Sequence, residues 1–165
     1  MSTHKSEMTS HAGRSLLEET KRFSNEGKAV GEYVKNSWQY TDHEPTVEIT
    51  VNNDNKSIRI KDNSRGMDLE TINRRFLVLH QYNIEREKGK HGRGEYGTGK
   101  IAALGIGEIL SVRTVNAGKL NIFEIHREDC KKKQSEKGVA VRWKEKSKST
   151  KEENGTVIDI KKFRH

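Results

Sequence analysis

The order in which two residue rhythms occur is the strongest constraint on this chain. Helical spacing dominates early, and two-residue alternation dominates late. In "NEGKAVGEYVKNSWQY", Val30, Tyr33, Val34 and Trp38 form one stripe and predict a helix over 25–40. The period then falls to two. Val47, Ile49 and Val51 alternate in "TVEITV", and "NNDNK" (52–56) carries turn residues. Ile58 and Ile60 alternate in "SIRIKD", so 47–62 predicts a β-hairpin. "DLETINRRFLVL" (68–79) is helical again, with Leu69, Ile72, Phe76 and Leu79 on one side. Short helices are expected at 15–23 and 100–105, and residues 1–14 read as a flexible arm. Four strands are expected at 109–115, 119–126, 138–143 and 155–161, with "KEKSKSTKEEN" (144–154) as a solvated connection. Strands and helices do not alternate throughout, which argues against a doubly wound fold. The fold class expected is α+β, a two-layer sandwich: one mixed, mostly antiparallel sheet with helices on one face.

At 165 residues the chain suits a single domain, placed here at 15–165. Only 30% of residues are hydrophobic and 34% are charged, so the core is small and the surface well solvated. The net charge of +8 favours anionic partners such as nucleotides or nucleic acid, and also serves solubility. The single cysteine, Cys130 in "REDCKKK", excludes an intrachain disulfide framework and a cysteine zinc site. Its charged surroundings argue against a catalytic thiol. There is no run of 18 apolar residues and no apolar signal core at the amino terminus. A cytoplasmic, reducing location is the expectation.

Chemistry concentrates in "HGRGEYGTGKIAA" (91–103). Gly94, Gly99 and Lys100 fit most of a Walker A loop, but Ile101 stands where the magnesium-holding Ser or Thr belongs. The preceding "EREKGKHGR" is no buried strand, so the Walker reading fails. Glycines at 92, 94, 97 and 99 still suit either a surface loop or a backbone cradle for an anion beside a helix start. Glu32 and Asn36 share one helical face. They could be ordinary surface residues, or they could handle a metal and a water. Asp62 continues the alternation of Ile58 and Ile60, so it should point toward the helices. There it either caps a turn with Asn63 and Ser64 or accepts a hydrogen bond from a ligand such as an adenine amino group.

In order along the chain, these blocks resemble the GHKL nucleotide-binding superfamily. That group holds gyrase B subunits, ninety-kilodalton heat-shock chaperones, histidine kinases, and MutL and MORC ATPases. "GEYVKNSWQ" is similar to its N box at Glu32 and Asn36. "DNSRGM" is similar to its D-x-G-x-G-M box at Asp62, Gly66 and Met67. "GRGEYGTGK" resembles its second glycine box at Gly94, Gly97 and Gly99, and "NGTVIDI" its late strand opening at Gly155 and Thr156. The resemblance implies a Bergerat fold that binds ATP with Mg2+. Asp62 and Thr156 would hold the adenine, with Met67 packed on it and Gly66 leaving room. Asn36 would be the metal ligand and Glu32 the catalytic carboxylate acting on water. Gly94, Tyr96, Gly97, Thr98 and Gly99 would surround the phosphates, helped by Lys90, Arg93 and Lys100, with 80–98 as a lid. Ser64 replaces the first glycine of the box. If that position needs a left-handed backbone, the serine costs about 1 kcal/mol and weakens nucleotide binding. Gln39 stands where many members carry an acid, which puts that accessory role in doubt.

No histidine lies in a phosphoacceptor helix, and a water-activating Glu32 suits a hydrolase. The chaperone, MutL and MORC branches are therefore favoured over the kinases. The expectation is slow ATP hydrolysis by the amino-terminal piece of a longer protein. A transducer or effector domain would act as partner, ATP-dependent homodimerisation would involve residues 1–25, and there would be no membrane attachment. Two rivals stand beside it. One is a nucleotide sensor that binds without turnover. The other is a basic module for DNA or other nucleic acid, supported by Lys131–Lys133 and the lysines of 144–151.

Overall fold

A computed structural model describes residues 7–10, 20–79, 99–132 and 139–164. Its main body is a six-stranded sheet in the order β2-β3-β9-β5-β6-β8, antiparallel at every pairing. The strands are β2 (Val47–Asn52), β3 (Ser57–Asp62), β5 (Ile109–Asn116), β6 (Lys119–His126), β8 (Arg142–Ser149) and β9 (Gly155–Lys161). A small second sheet joins β1 (Glu7–Ser10) to β4 (Val78–Leu79) in parallel and to β7 (Val139–Ala140) antiparallel. Helices cover one face of the large sheet, so the two-layer α+β arrangement expected from the residue rhythm is the one present.

The hairpin β2–β3 follows from local chemistry. The Asn52 side chain accepts from the backbone N–H groups of Asp54 and Asn55, closing the turn, and Lys56 takes the left-handed conformation at φ 53°. Ile58 and Ile60 are then buried, in line with Ile158 and Ile160 of β9 and with Leu110 and Val112 of β5. Phe123 and Ile125 of β6 extend this floor, and Phe76 packs edge-on against Phe123 at 5.5 Å between centroids. Above it lie α1 (Glu26–Gln39) and the turn Gly99–Ile101 leading into α3 (Ala103–Ile106). Ile101 to Leu104 are wholly buried, which fixes this segment against the floor.

Several expectations need correction, among them the flexible arm over 1–14, in which Glu7–Ser10 forms the paired strand β1. The inward line of α1 is Ala29, Tyr33 and Ser37, while Trp38 is 57% exposed. Small residues at 29 and 37 let the helix approach the sheet, which outweighs burying the larger indole. The helix expected over 68–79 is one short turn, α2 (Leu69–Thr71), capped by Asp68, and it runs into a wider turn over Ile72–Phe76. In that wider turn Leu77 N–H reaches the Ile72 carbonyl, so Ile72, Phe76 and Leu77 all point inward and the chain leaves as β4. The connection expected over 144–154 is largely strand, and the strand expected over 138–143 divides into β7 and β8. Lysines at 144, 146 and 148 decorate an open sheet edge, where charge discourages unwanted pairing, so polarity there marks an edge and not a loop. The short helix expected over 15–23 is described only from Thr20, as a single turn at Lys21–Phe23. At the other edge, β2 leaves Ile49 and Val51 47% and 56% exposed.

Cys130 lies in α4 (Arg127–Lys132) and is buried, with its thiol against the His126 carbonyl. Burial pushes this thiol up to about 11. Burial and a raised pKa are the opposite of what a reactive thiol needs.

Candidate nucleotide site

At one end of the sheet the buried isoleucines give way to a polar row. Asp62 of β3 pairs with Thr156 of β9, Thr156 with Thr114 of β5, and Thr114 with Asn121 of β6. Alternation places all four on the helix-covered face. Asp62 is partly buried there, and its two oxygens are occupied differently. Oδ1 accepts from the backbone N–H of Ser64 at 3.0 Å and of Thr156 at 3.0 Å. Oδ2 accepts from the Ser37 hydroxyl at 2.6 Å. A carboxylate has about four acceptor positions, so about one remains for a ligand donor. Thr156 Oγ1 lies 2.9 Å from Thr114 Oγ1, which accepts the backbone N–H of Met67 at 2.8 Å. Asn121 is fully buried. Its Oδ1 accepts from Ser147 N–H, and its Nδ2 has no partner among the described residues.

The segment after Asp62 is shaped by two small residues. Gly66 holds φ at +70°, and a Cβ there would lie 2.7 Å from the Val115 carbonyl carbon. Ser64 is buried and keeps an ordinary negative φ, so the strain expected for a serine at this place is absent. Its hydroxyl lies within reach of Gly66 N–H. Met67 is partly buried and packs against the core.

Helix α1 links this end to the glycine end. Asn25 caps its start by accepting Lys28 N–H. Ser37 touches Asp62, while about 7.5 Å back along the axis Glu32 faces Gly99. A Cβ on Gly99 would come 2.5 Å from Glu32 Oε2, so the glycine is what lets the carboxylate approach this backbone. Glu32 Oε1 also pairs with Lys35 at 3.3 Å. Asn36 lies on the same face as Glu32 one turn on, between the two ends. Tyr33 is buried. Its hydroxyl donates to the Lys100 carbonyl at 3.2 Å and accepts Ala103 N–H at 2.9 Å.

Lys100, expected at the phosphates, is engaged with backbone carbonyls in this structure. Its ammonium donates to the carbonyls of Arg75 and Val78, at 2.6 Å for the latter, and burial pushes it down to about 8. Contact with a phosphate would require it to leave those carbonyls. The expected phosphate-contacting residues Lys90, Arg93, Gly94, Tyr96, Gly97 and Thr98, and the lid over 80–98, lie outside the described residues. Ser37 and Thr114 were not singled out from the sequence, and Tyr33 was read only as part of an apolar stripe. Ser37 could have been found as the residue one turn beyond Tyr33 on the buried line of α1.

An acid held inward at a strand end, and a helix that sets a carboxylate against a glycine turn, are the features this α+β domain brings together. The chain matches the family described as histidine kinase-, DNA gyrase B- and HSP90-like ATPase over residues 24–156, and it belongs to that family. It is also similar to a protein from Herpetosiphon aurantiacus provisionally named type II restriction enzyme HgiDII. The two are 33% identical over 103 residues, 60% of this chain and 16% of that protein. The chain thus spans a small part of that relative. ATP binding is what the family domain supports. Among the described residues, no helix is long and apolar enough to cross a membrane.

Proposed function

We propose that this domain binds ATP with magnesium and hydrolyses it slowly, as the ATPase module of a larger cytoplasmic protein. The observation that carries the reading is Asp62. Its carboxylate is turned inward, held on three donors and left with acceptor capacity, at the foot of the helix that sets Glu32 against Gly99. Asp62 would take the adenine amino group, with Thr156 beside it and Met67 against the ring. Backbone N–H groups near Gly99 would meet the phosphates. Asn36 would be a magnesium ligand. Phosphate oxygens and water would complete the shell of such an ion. Bound there, the ion would supply charge neutralisation to the phosphates. Glu32 would orient the attacking water and accept its proton. Lid closure over 80–98, an ATP-dependent homodimer and a carboxy-terminal transducer partner are supported by membership of the family alone.

The test is calorimetry of ATP and ADP with magnesium on the wild type and on Asp62→Asn. Asparagine keeps the shape but turns a donor toward the purine, so affinity for both nucleotides should fall about 10–100-fold while the melting temperature changes little. Equal affinity in the two proteins would remove Asp62 from the base site.

A second reading has its own observation. Lys144, Lys146 and Lys148 lie on the open edge β8, the chain carries +8, and the similar protein is named as a restriction enzyme. Action on DNA by the larger protein fits these. Duplex binding measured by filter retention should then weaken steeply with salt, and replacing the three lysines by glutamine should lower the slope by about 3. A flat salt response would exclude this edge as a DNA surface.

A further inference from the structure

We infer that Tyr33 is a positioning residue, clamping the glycine turn to the helix that carries Glu32 and Asn36. The inference rests on the nucleotide reading above and concerns a residue that reading does not use.

The backbone itself creates the need for the clamp. Ala102 N–H takes the Gly99 carbonyl in a tight three-residue turn, so Ala103 N–H loses the acceptor that a regular helix would give it. Ala103 is wholly buried and no water can replace that acceptor. The Tyr33 hydroxyl fills the place, and it spends its own proton on the Lys100 carbonyl. Desolvation by burial raises this phenol well above its ordinary range, so it stays protonated and keeps both bonds.

Two consequences follow from adjacency. Tyr33 and Glu32 are neighbours in α1, so one helical turn fixes the Lys100–Ala103 backbone and aims a carboxylate at Gly99. Lys100 ties the same segment from the opposite side, through the carbonyls of Arg75 and Val78. The segment after the glycines is thereby held between α1 and the end of the wide turn over Ile72–Phe76. The base end, built on Asp62, meets Tyr33 through Ser37, whose hydroxyl lies between the Tyr33 carbonyl and Asp62, and it uses neither bond of the phenol.

The test separates the two ends of the site. Tyr33→Phe keeps the ring and removes only the hydroxyl. In this variant of the full chain, adenosine affinity should stay within about twofold, while affinity for magnesium ATP should fall about tenfold. Amide exchange should quicken across 99–106 and stay unchanged across 109–126. A general loss of structure would weaken adenosine and ATP alike and speed exchange in both segments, which would overturn the proposal. So would an unchanged ratio of ATP to adenosine affinity in a folded variant, or rapid exchange of the Ala103 amide in the wild type. If the wild type binds adenosine and ATP but Tyr33→Phe leaves their ratio intact, only the clamp fails. If it binds neither, the nucleotide reading fails first and the clamp's role falls with it.

Discussion

Gly66→Ala should cost about 3–4 kcal/mol of folding stability and lower the melting temperature by about 10 °C. Two terms add. The left-handed φ of +70° costs an alanine about 1–2 kcal/mol by itself. The new methyl must also enter space held by the Val115 carbonyl, 2.7 Å from its carbon and 3.3 Å from the Gly155 oxygen. All of these are backbone atoms in β5 and at the start of β9, so no side chain can swing aside. Forcing them apart costs about 1–3 kcal/mol more. A typical domain holds only about 5–15 kcal/mol in total, and a shift of about 2–4 °C per kcal/mol is usual at this size. Thermal unfolding followed by circular dichroism reads the effect directly. Ser64→Gly is the control. Ser64 has no left-handed backbone to relieve, so installing the glycine usual in this box should stabilise nothing. A gain from Ser64→Gly, or a loss below 1 kcal/mol from Gly66→Ala, would mean that this loop is built differently.

The contrast between positions 64 and 66 shows what could be read from the residues and what could not. Alternation alone placed Asp62 on the inner face, because Ile58 and Ile60 fix the phase of β3 and the partner strand repeats it through Ile158 and Ile160. The hairpin turn, the strands β5, β6 and β9 and the single covered face were legible for the same reason: each depends on a local period. The features that the residues alone did not show depend on neighbours distant in sequence. Lys100 follows the glycines, yet carbonyls left open near residues 75–78 capture its ammonium. Thr114 reads as an ordinary strand former until its register with Thr156 makes it part of a polar row. Tyr33 looked like one member of an apolar stripe, and only the break in the helical pattern at Ala103 gives its hydroxyl a task. β8 was hidden because an edge strand exposes both its polar atoms and its lysines to water, which removes the apolar signal that alternation needs.

Glu32→Gln should leave magnesium ATP affinity within about threefold of the wild type and lower turnover by about 10²–10⁴-fold, the usual worth of a positioned general base. The amide has the same shape and fits the same gap beside Gly99, where Oε2 now sits against the backbone. On the proposed reading, base and phosphate contacts would be kept, and the substitution would remove only the capacity to take a proton from water. The expected loss corresponds to about 3–5 kcal/mol of barrier. Lys35, which pairs with Glu32 Oε1 at 3.3 Å, is about half exposed and contributes little to holding it, so Lys35→Ala should not reproduce the effect. Single-turnover hydrolysis of ATP, measured beside equilibrium binding on the same preparation, separates the outcomes. Parallel loss of binding and turnover would make Glu32 a binding group. A wild type that binds ATP but shows no turnover above background would make this domain a sensor. Binding retained with turnover lost is the result expected of a carboxylate aimed at water, and it would assign the hydrolytic step to the face of α1 that meets the glycine turn.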